Sequence, residues 1–540
     1  MTRYDWDMPS THEVTNQPPP LVDHDRYAGD LALAETVSRL GAETAGLRSL
    51  GRLAGTAEAQ RWGADANAYP PVLRTHDRYG HRIDEVDFHP AYHRLLAEAV
   101  GHGLAGAPWA AAASTPHTSR AAGFYVWSQV EAGHGCPVSM TYAVVPALRH
   151  EPSLAAAYEP GLTATAYEPG LRAGKAGLLA GMGMTEKQGG SDVRTNRTTA
   201  VDAGDGTWRL TGHKWFCSAP MCDLFLVLGQ VAGAGLTCFL VPRVLPSGER
   251  NVFRLQRLKD KLGNRSNASS EVEFEDTVGW AVGPVGRGLH TILEMVRVTR
   301  LDCVLGSAAL MRAAVAQAVH HATYRSAFGG ILRDKPLMAA VLADLAIESE
   351  AAAALGLRLA AAADAGEDDF GRLATAVAKF WVCKRTPAVA GEALECLGGN
   401  GYVEESGLPR LYRDAPLNSI WEGSGNVIAL DVLRALAREP AAGEAVLAEV
   451  DAAAGVDPRL DAAAKQLRAD LAAGPAEADG RAVATRLALA LQGSLLVRHA
   501  PAAVADAFCA TRLGPDGPAG VFGLGVPNAT ALVDRAAPTR

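Results

Sequence analysis

The sequence predicts an α+β protein in which an N-terminal helical domain, a central antiparallel β-domain of barrel-like form, a C-terminal helical bundle and an extra C-terminal helical domain follow one another. Two observations support this prediction. Apolar residues recur at helical spacing before about residue 182 and after about residue 286, whereas the stretch between them consists of short β-prone runs separated by Gly, Asp and Pro. A hydrophobic content of 48% is ample for packed cores in a chain of 540 residues.

Residues 1–182 are expected to form the first helical domain, with amphipathic segments such as LALAETVSRLGAETAGLRSLGRLAG. Residues 101–106, GHGLAG, match the GxGxxG pattern of dinucleotide-binding folds, but the preceding YHRLLAEAV has helical spacing and no βαβ alternation surrounds it. A turn between helices is therefore expected there. The segment AYEPGLTATAYEPGLRAG repeats AYEPGL nine residues apart and predicts a surface connection, since two copies are too few for a repeat fold.

Residues 183–285 are expected to form the β-domain. Its predicted strands lie in TWRLTGHKWFCSAP, LFLVLGQ, LTCFLVP, FRLQRLKDKLG and SSEVEFEDTVGW. Residues 223–242 imitate a membrane span, but GQVAGAG divides them, which favours two buried strands joined by a glycine turn. Long Ala-rich helices return in residues 286–440 and predict a bundle, and residues 441–540 hold a further helical segment and a Gly/Pro-rich tail.

The charge and cysteine content describe an ordinary cytoplasmic protein. A net charge of −8 and a pI near 6.0 give no sign of a nucleic-acid or membrane surface. The eight cysteines form no CxxC pair and no His cluster has zinc-ligand spacing, so free thiols in a reducing compartment are expected and a metal site is not. The start, MTRYDWDMPSTHEVTNQPPPL, lacks the apolar core of a signal peptide.

Residues 181–192, GMGMTEKQGGSD, combine four glycines with a Thr, a Ser and two acids around one Lys. By composition alone the segment is either a flexible surface loop, which is the commoner case, or a loop that wraps phosphates or a flat polar ring. Glycines let backbone N–H groups approach phosphate oxygens, and small hydroxyls add donors without crowding.

A second candidate site lies in residues 397–436. There Glu422 stands between the bulky Trp421 and the small run Gly-Ser-Gly, just before a helix that is predicted to begin near Asn426 and to be capped by Ser424. The carboxylate either complements the helix dipole or, beside an aromatic ring in an apolar pocket, has a raised pKa and acts as a general base.

Seven segments match one family in its own order over about residues 15–440. They are NQPPPL, MGMTEKQGGSDV, HKWFCS, KDKLGNRSNAS, YRSAFG, LGGNGY and RLYRDAPLNSIWEGSGN. With them the sequence resembles the acyl-CoA dehydrogenase superfamily, specifically its AidB-like branch. The resemblance implies an acyl-CoA dehydrogenase-like fold with an AidB-type N-terminal extension, FAD as the cofactor, an acyl-CoA substrate and assembly as a homotetramer.

The resemblance also implies where FAD lies. Thr185 would stand near the polar edge of the isoalloxazine and Ser191 at the pyrophosphate, while Arg325 and Phe328 would serve the FAD of a neighbouring subunit. Whether Cys217 or its neighbour faces the flavin stays open, and Glu395 is left out because an acid suits phosphate poorly. The implied cofactor-binding residues are Met182, Met184, Thr185, Gly189, Gly190, Ser191, Trp215, Phe216, Ser218, Arg325, Phe328, Trp421, Gly423, Ser424 and Asn426.

By the same resemblance the reaction is α,β-dehydrogenation of an acyl-CoA thioester, with Glu422 as the base that removes the α-proton and the flavin as hydride acceptor. Arg300 matches a basic position next to the base, and Arg434 lies twelve residues beyond Glu422. Either cation pairing with Glu422 would hold it ionised and lower its pKa, against the effect of burial. The electron acceptor and the acyl chain length stay open.

Two alternatives remain at this stage. One is an AidB-type alkylation-response flavoprotein that binds DNA through its extra domain, by arginines such as Arg481, Arg486 and Arg498, and has weak or vestigial dehydrogenase activity. Residues 441–540 hold nine Lys and Arg against eleven acids, a net charge of −2, which is not the footprint of a DNA-binding domain. The other is a flavin-bound scaffold with little turnover.

Overall fold

The computed structural model describes residues 11–514 and 520–539. From residue 11 onward, the N-terminal domain is built from seven α-helices. They are α1 (Leu31–Arg39), α2 (Ala45–Gly55), α3 (Ala57–Ala68), α4 (Pro90–Gly101), α5 (Pro116–Ser128), α6 (Gly135–Leu148) and α7 (Pro152–Leu162). The GHGLAG segment follows the end of α4, as predicted, so no strand precedes it.

The sequence analysis did not predict the antiparallel hairpin between α3 and α4, formed by β1 (Val72–His76) and β2 (Arg82–Asp87). Most of its side chains are exposed or half-buried, with the buried Asp84 as an exception. Because few apolar residues mark an inward face, the alternation that identifies a half-buried strand is weak here.

Seven strands form the β-domain: β3 (Ala180–Gly183), β4 (Thr199–Asp202), β5 (Trp208–Ser218), β6 (Leu224–Val231), β7 (Gly235–Pro242), β8 (Arg254–Leu258) and β9 (Ser269–Ala281). The pairings β6–β4–β5–β9–β7–β6 close on themselves, which confirms the barrel-like form. Most pairings are antiparallel, as expected, but β3 and β4 both pair with β6 in parallel.

Strands β6 and β7 account for the stretch that imitates a membrane span. They pair antiparallel through a short turn, as predicted, and Phe225, Leu226, Val227 and Leu228 are fully buried. A strand inside a closed barrel that also packs against neighbouring elements buries both faces, so its sequence is continuously apolar rather than alternating.

The C-terminal bundle contains α8 (Gly288–Tyr324), a small hairpin of β10 (Ser326–Ala327) and β11 (Gly330–Ile331), α9 (Pro336–Ala365), α10 (Asp368–Glu395), α11 (Leu408–Asp414) and α12 (Gly425–Arg438). Among the described residues, α8 is the one helix long and apolar enough to cross a membrane, but 89% of its most apolar window is buried inside the protein. It is therefore the central helix of the bundle, in contact with α5, α6, α9 and α10.

In residues 440–514 and 520–539, which the structure describes, the extra domain has five α-helices: α13 (Pro440–Asp451), α14 (Pro458–Ala472), α15 (Gly480–His499), α16 (Ala502–Arg512) and α17 (Ala529–Ala536). Helix α15 packs against α9, α10 and α12, and α17 packs against α9. The extra domain is thus continuous with the bundle rather than tethered to it.

One buried ion pair ties the loop that follows β3 to the barrel. Lys214 Nζ on β5 donates to Glu186 Oε1 at 2.7 Å and to the carbonyl of Leu228 at 2.8 Å, and neither charged side chain is exposed. Burial by itself would raise the pKa of Glu186, but Lys214 and the backbone N–H of Arg197 lower it to about 2. The pair therefore stays ionised and fixes the position of residues 184–190.

We predict that Lys214→Met lowers the free energy of unfolding by about 3–5 kcal/mol, because it leaves Glu186 buried and without its partner charge. Urea unfolding of the apoprotein at pH 7 measures the loss. The pKa of Glu186 is depressed in the folded protein, so its contribution is complete above about pH 4.5 and declines as the pH falls toward 2. The double variant Glu186→Leu/Lys214→Met should regain most of the stability, and a loss below about 1 kcal/mol in Lys214→Met would contradict the assignment.

Candidate active site

Glu422 lies on a short loop that leads into α12, and its backbone is left-handed with φ of 58°. Such a conformation costs about 1–3 kcal/mol for a residue other than Gly. Two cations stabilise this backbone conformation by binding the carbonyl groups of the loop. Lys379 Nζ donates to the carbonyl of Trp421 at 2.8 Å and to that of Gly423, and Arg300 Nε donates to the carbonyl of Glu422 at 2.9 Å. Three consecutive carbonyls are thereby fixed.

The Glu422 carboxylate points away from these cations. Its Oε2 lies 2.8 Å from the hydroxyl of Thr299. Arg300 directs NH1 to Asp431 Oδ2 at 2.8 Å, and the largely exposed Arg434 also approaches Asp431, at 4.0 Å. The sequence left open whether Arg300 or Arg434 pairs with Glu422; in the structure both arginines approach Asp431 on α12 instead.

Burial raises the pKa of Glu422, and the Thr299 hydrogen bond, Arg300 and Lys379 oppose this rise without cancelling it. The Thr299 hydroxyl also lies 3.0 Å from the carbonyl of Val296. A hydroxyl has one hydrogen and can accept as well as donate. It donates to Glu422 when the carboxylate is ionised, and it donates to Val296 while accepting from Glu422 when the carboxyl is protonated. The site thus accommodates both protonation states, as a proton acceptor requires.

The end of β5 lies near this loop, with α6 beside it. Burial raises the pKa of the Cys136 thiol on α6 to about 11, and the charge of Glu422 adds to that rise, whereas Ser218 at the end of β5 opposes it. Ser218 Oγ lies 3.3 Å from Ser269 Oγ, whereas Cys217 is fully buried with its thiol 3.9 Å from the carbonyl of Met182. Ser218 is therefore half-buried while the Cys217 side chain lies in the barrel core, so of the two Ser218 is the one accessible from outside the barrel.

The glycine-rich loop 184–191 is fixed against β5. Trp215 N donates to the carbonyl of Thr185 at 2.8 Å, and Asn196 Nδ2 donates to that of Met184 at 2.9 Å. A Cβ at Gly190 would lie 2.3 Å from Thr185 Oγ1, so only glycine fits there. Ser191 beyond it is exposed. Bare backbone and an outward hydroxyl at this position suit a phosphate-bearing cofactor.

The other predicted cofactor-binding residues on β3 and β5 vary in exposure. Trp215 is half-buried, and the ammonium of Lys259 lies 3.2 Å from the centre of its ring. Phe216 is 51% exposed, and Met182 packs partly buried against the core. The half-exposed indole of Trp215 is available to cover one face of a planar ligand ring.

The N-terminus of α12 is positively charged. Ser424 is its N-cap residue, as predicted, but its side chain makes no capping hydrogen bond, and the helix begins at Gly425. A Cβ at Gly425 would lie 2.4 Å from Lys384 Cε, and Arg481 of the extra domain donates to Asn426 Oδ1 at 2.8 Å. The amides of this helix end and the two cations favour an anionic ligand nearby.

The FAD residues predicted for a neighbouring subunit do not join this site. Arg325 donates to the carbonyl of Asn16, and Phe328 is left-handed and 95% exposed. Tyr324 lies 24 residues after Arg300 on α8, a distance of about 36 Å along the helix at a rise of 1.5 Å per residue. One chain therefore cannot bring Arg325 and Glu422 to the same end of a cofactor.

Comparison with known proteins identifies the family. Residues 16–169 match the adaptive response protein AidB N-terminal domain, 181–277 the acyl-CoA dehydrogenase middle domain and 286–437 the acyl-CoA dehydrogenase C-terminal domain. The chain is 46% identical to AidB of Escherichia coli (strain K12) over 515 residues, which cover 93% of this chain and 94% of that protein. The chain belongs to the AidB branch of the acyl-CoA dehydrogenase family.

Other acyl-CoA dehydrogenases are more distant. Acyl-CoA dehydrogenase family member 11 of Caenorhabditis elegans is 31% identical over 437 residues, covering 76% of this chain and 70% of its own. A crystal structure of that protein, ACDH-11 in complex with C11-CoA, superposes with a TM-score of 0.83 at 27% identity, over 93% of this chain and 92% of that one. Butyryl-CoA dehydrogenase of Megasphaera elsdenii shares the fold at 21% identity, with a TM-score of 0.58 over 70% of this chain and 96% of its own.

Within this acyl-CoA dehydrogenase site, the sequence analysis missed Thr299, Lys379 and Asp431. Thr299 directly precedes Arg300 in VTRLD, so its position next to a site residue was a usable signal. Lys379 and Asp431 lie inside helices of mixed apolar and charged residues, where a single charge is as compatible with a solvent-exposed position as with a buried contact. No local pattern distinguishes these two cases.

We predict that Gly190→Ala weakens FAD binding at least about tenfold, which corresponds to ~1.4 kcal/mol. The added Cβ displaces Thr185, which the Trp215 hydrogen bond holds in place. Titration of the apoprotein with FAD, followed by flavin fluorescence, measures the change. Gly371→Ala is the matched control, since its Cβ on α10 meets no atom within 4 Å. Unchanged affinity in Gly190→Ala would show that this loop does not hold the cofactor.

Proposed function

We propose that this chain is an FAD-dependent acyl-CoA dehydrogenase in which Glu422 removes the α-proton of an acyl-CoA thioester. The observation that carries the proposal is the state of Glu422. Its carboxylate is buried and hydrogen-bonded by the Thr299 hydroxyl, while the nearby cations Arg300 and Lys379 bind backbone carbonyls instead. The acyl-CoA bound by the C. elegans relative supports the substrate class.

The chain's own groups supply position, electrostatics and a proton acceptor. The backbone of Gly189 and Gly190 and the hydroxyl of Ser191 would hold the pyrophosphate of FAD, and Trp215 and Ser218 would lie against its ring. When bound, FAD would be the acceptor of the hydride from the β-carbon.

Proton transfer rests on Glu422 and its neighbours. Burial raises the pKa of the carboxyl and makes the carboxylate a stronger base, while the positive charges of Arg300 and Lys379 keep an ionised fraction present. Thr299 turns its hydrogen toward Val296 as Glu422 takes the proton. Since the working form is the ionised one, the rate of proton removal rises with pH through the pKa of Glu422.

We predict that Glu422→Gln retains FAD but is reduced by acyl-CoA about 10²–10⁴-fold more slowly, because the amide cannot accept the α-proton. Anaerobic mixing with a series of acyl-CoA thioesters, followed by the loss of flavin absorbance, measures this. Glu405→Gln, at an exposed position of the preceding segment, is the control and should react like the wild type.

Two results would contradict the proposal. One is a wild-type flavoprotein that no thioester in the series bleaches. The other is a Glu422→Gln variant that is bleached at the wild-type rate. The same series identifies the preferred acyl chain.

The DNA-binding alternative gains no support from the extra domain. Arg486 pairs with Asp470, and Arg498 pairs with Glu449. Arg481 faces α12 through Asn426. The three arginines considered for a DNA contact are therefore engaged within the protein, and a DNA-binding alkylation-response role is not part of this proposal.

The proposal includes assembly as a homotetramer in the cytoplasm. Phe328, in the hairpin that follows α8, and Leu337, at the start of α9, are 95% and 85% exposed, as expected for side chains that a second copy covers. A neighbouring copy would then bring Arg325 and Phe328 to the adenine side of FAD. The eight free, buried cysteines suit a reducing compartment.

A further inference from the structure

Asp431 joins two arginines beneath the Glu422 loop. Its Oδ2 accepts from Arg300 NH1 at 2.8 Å, and its Oδ1 accepts from Arg372 NH2 at 3.0 Å. The side chains of Asp431 and Arg300 are each only 14% exposed. In such surroundings a guanidinium without a counter-charge is costly, so each arginine depends on a nearby carboxylate.

Arg300 interacts with two acids: it binds the carboxylate of Asp431, and its positive charge acts on the carboxyl group of Glu422. Its Nε already binds the carbonyl of Glu422, and its NH2 packs 3.4 Å from the place of a Cβ at Gly423. The carboxylate of Glu422 belongs to the same residue whose carbonyl Arg300 holds. Asp431 therefore competes directly with Glu422 for the guanidinium, and in the structure Asp431 holds it.

We propose that Asp431 is a positioning residue for the reaction. By neutralising Arg300 and holding it against the backbone of Glu422, Asp431 keeps the guanidinium off the carboxylate that must accept the α-proton. This inference rests on the proposed function. Without Asp431, Arg300 turns to the Glu422 carboxylate, lowers its basicity and occupies the oxygen that would face the substrate.

The other groups near Glu422 cannot take the place of Arg300 as a cation that pairs with its carboxylate. Lys379 of α10 is committed to the carbonyls on either side of Glu422. The thiols of Cys136 on α6 and Cys303 on α8 are neutral, because burial raises the pKa of Cys136 to about 11 and that of Cys303 well above its usual range. Thr299 carries no charge. Arg300 is the cation whose partner decides the state of the base.

The test is Asp431→Asn, compared with Glu439→Gln. Glu439 accepts from the same Arg372 at 2.9 Å but does not contact Arg300, which makes it a matched control for loss of a carboxylate. The pH midpoint of flavin reduction by an acyl-CoA should fall by about one to two pH units in Asp431→Asn. It should stay at the wild-type value in Glu439→Gln.

A second readout does not depend on turnover. The infrared carbonyl band of protonated Glu422, assigned by its loss in Glu422→Gln, should titrate at a lower pH in Asp431→Asn than in the wild type. The double variant Arg300→Gln/Asp431→Asn should bring this titration back toward the wild-type midpoint, because the displaced cation is gone. A residue that only stabilised the fold would move neither midpoint.

An unchanged or higher Glu422 midpoint in folded, FAD-loaded Asp431→Asn overturns the inference, as does a double variant that keeps the low midpoint. If no acyl-CoA reduces the wild-type flavin, the proposed function fails instead, and the infrared titration still reports whether Asp431 controls the charge of Glu422. The two failures are therefore distinguishable.

Discussion

The central constraint in this protein is the separation of a carboxylate from the cations that hold its own backbone. Lys379 and Arg300 bind three consecutive carbonyls around Glu422 and stabilise a left-handed residue. Hydrogen bonds from charged donors contribute about 1.5–3 kcal/mol each, enough to offset the ~1–3 kcal/mol cost of that conformation. The carboxylate is left to Thr299, so the loop is rigid while the base stays reactive.

The glycine-rich loop that follows β3 is also held by a cation. A buried cation on a rigid element, Lys214 of β5, binds the loop that carries Thr185 and Gly190 through Glu186. The closed barrel holds β5, and the bundle holds α8 and α10. The glycine-rich loop and the Glu422 loop are therefore each attached to a packed element. The cofactor and the base are thereby brought to defined positions by long-range packing rather than by the loops themselves.

The sequence was sufficient for the order of domains, for the two strands in residues 223–242 and for the turn at GHGLAG. Each of these has a local signal, whether periodicity, glycine punctuation or a motif. The β1–β2 hairpin and the parallel pairings of β3 and β4 with β6 lack one, because they depend on which edge of a strand is free after the barrel closes.

The ion pairs around Glu422 could not be predicted from the sequence, because their partners lie far apart along the chain. Arg300 and Asp431 are 131 residues apart, and Arg300 and Glu422 are 122 apart. From spacing alone, Arg300 pairs with Glu422 or with any other acid. The choice depends on α10, which packs against both α8, the helix of Arg300, and α12, the helix of Asp431.

A crystal structure of the protein with FAD and an acyl-CoA analogue that cannot be oxidised tests the central claim most directly. The account predicts the Glu422 carboxylate in contact with the α-carbon of the analogue, with Arg300 still bound to Asp431 and to the carbonyl of Glu422. A carboxylate paired with Arg300, or one remote from the thioester while the flavin is bound, would contradict it.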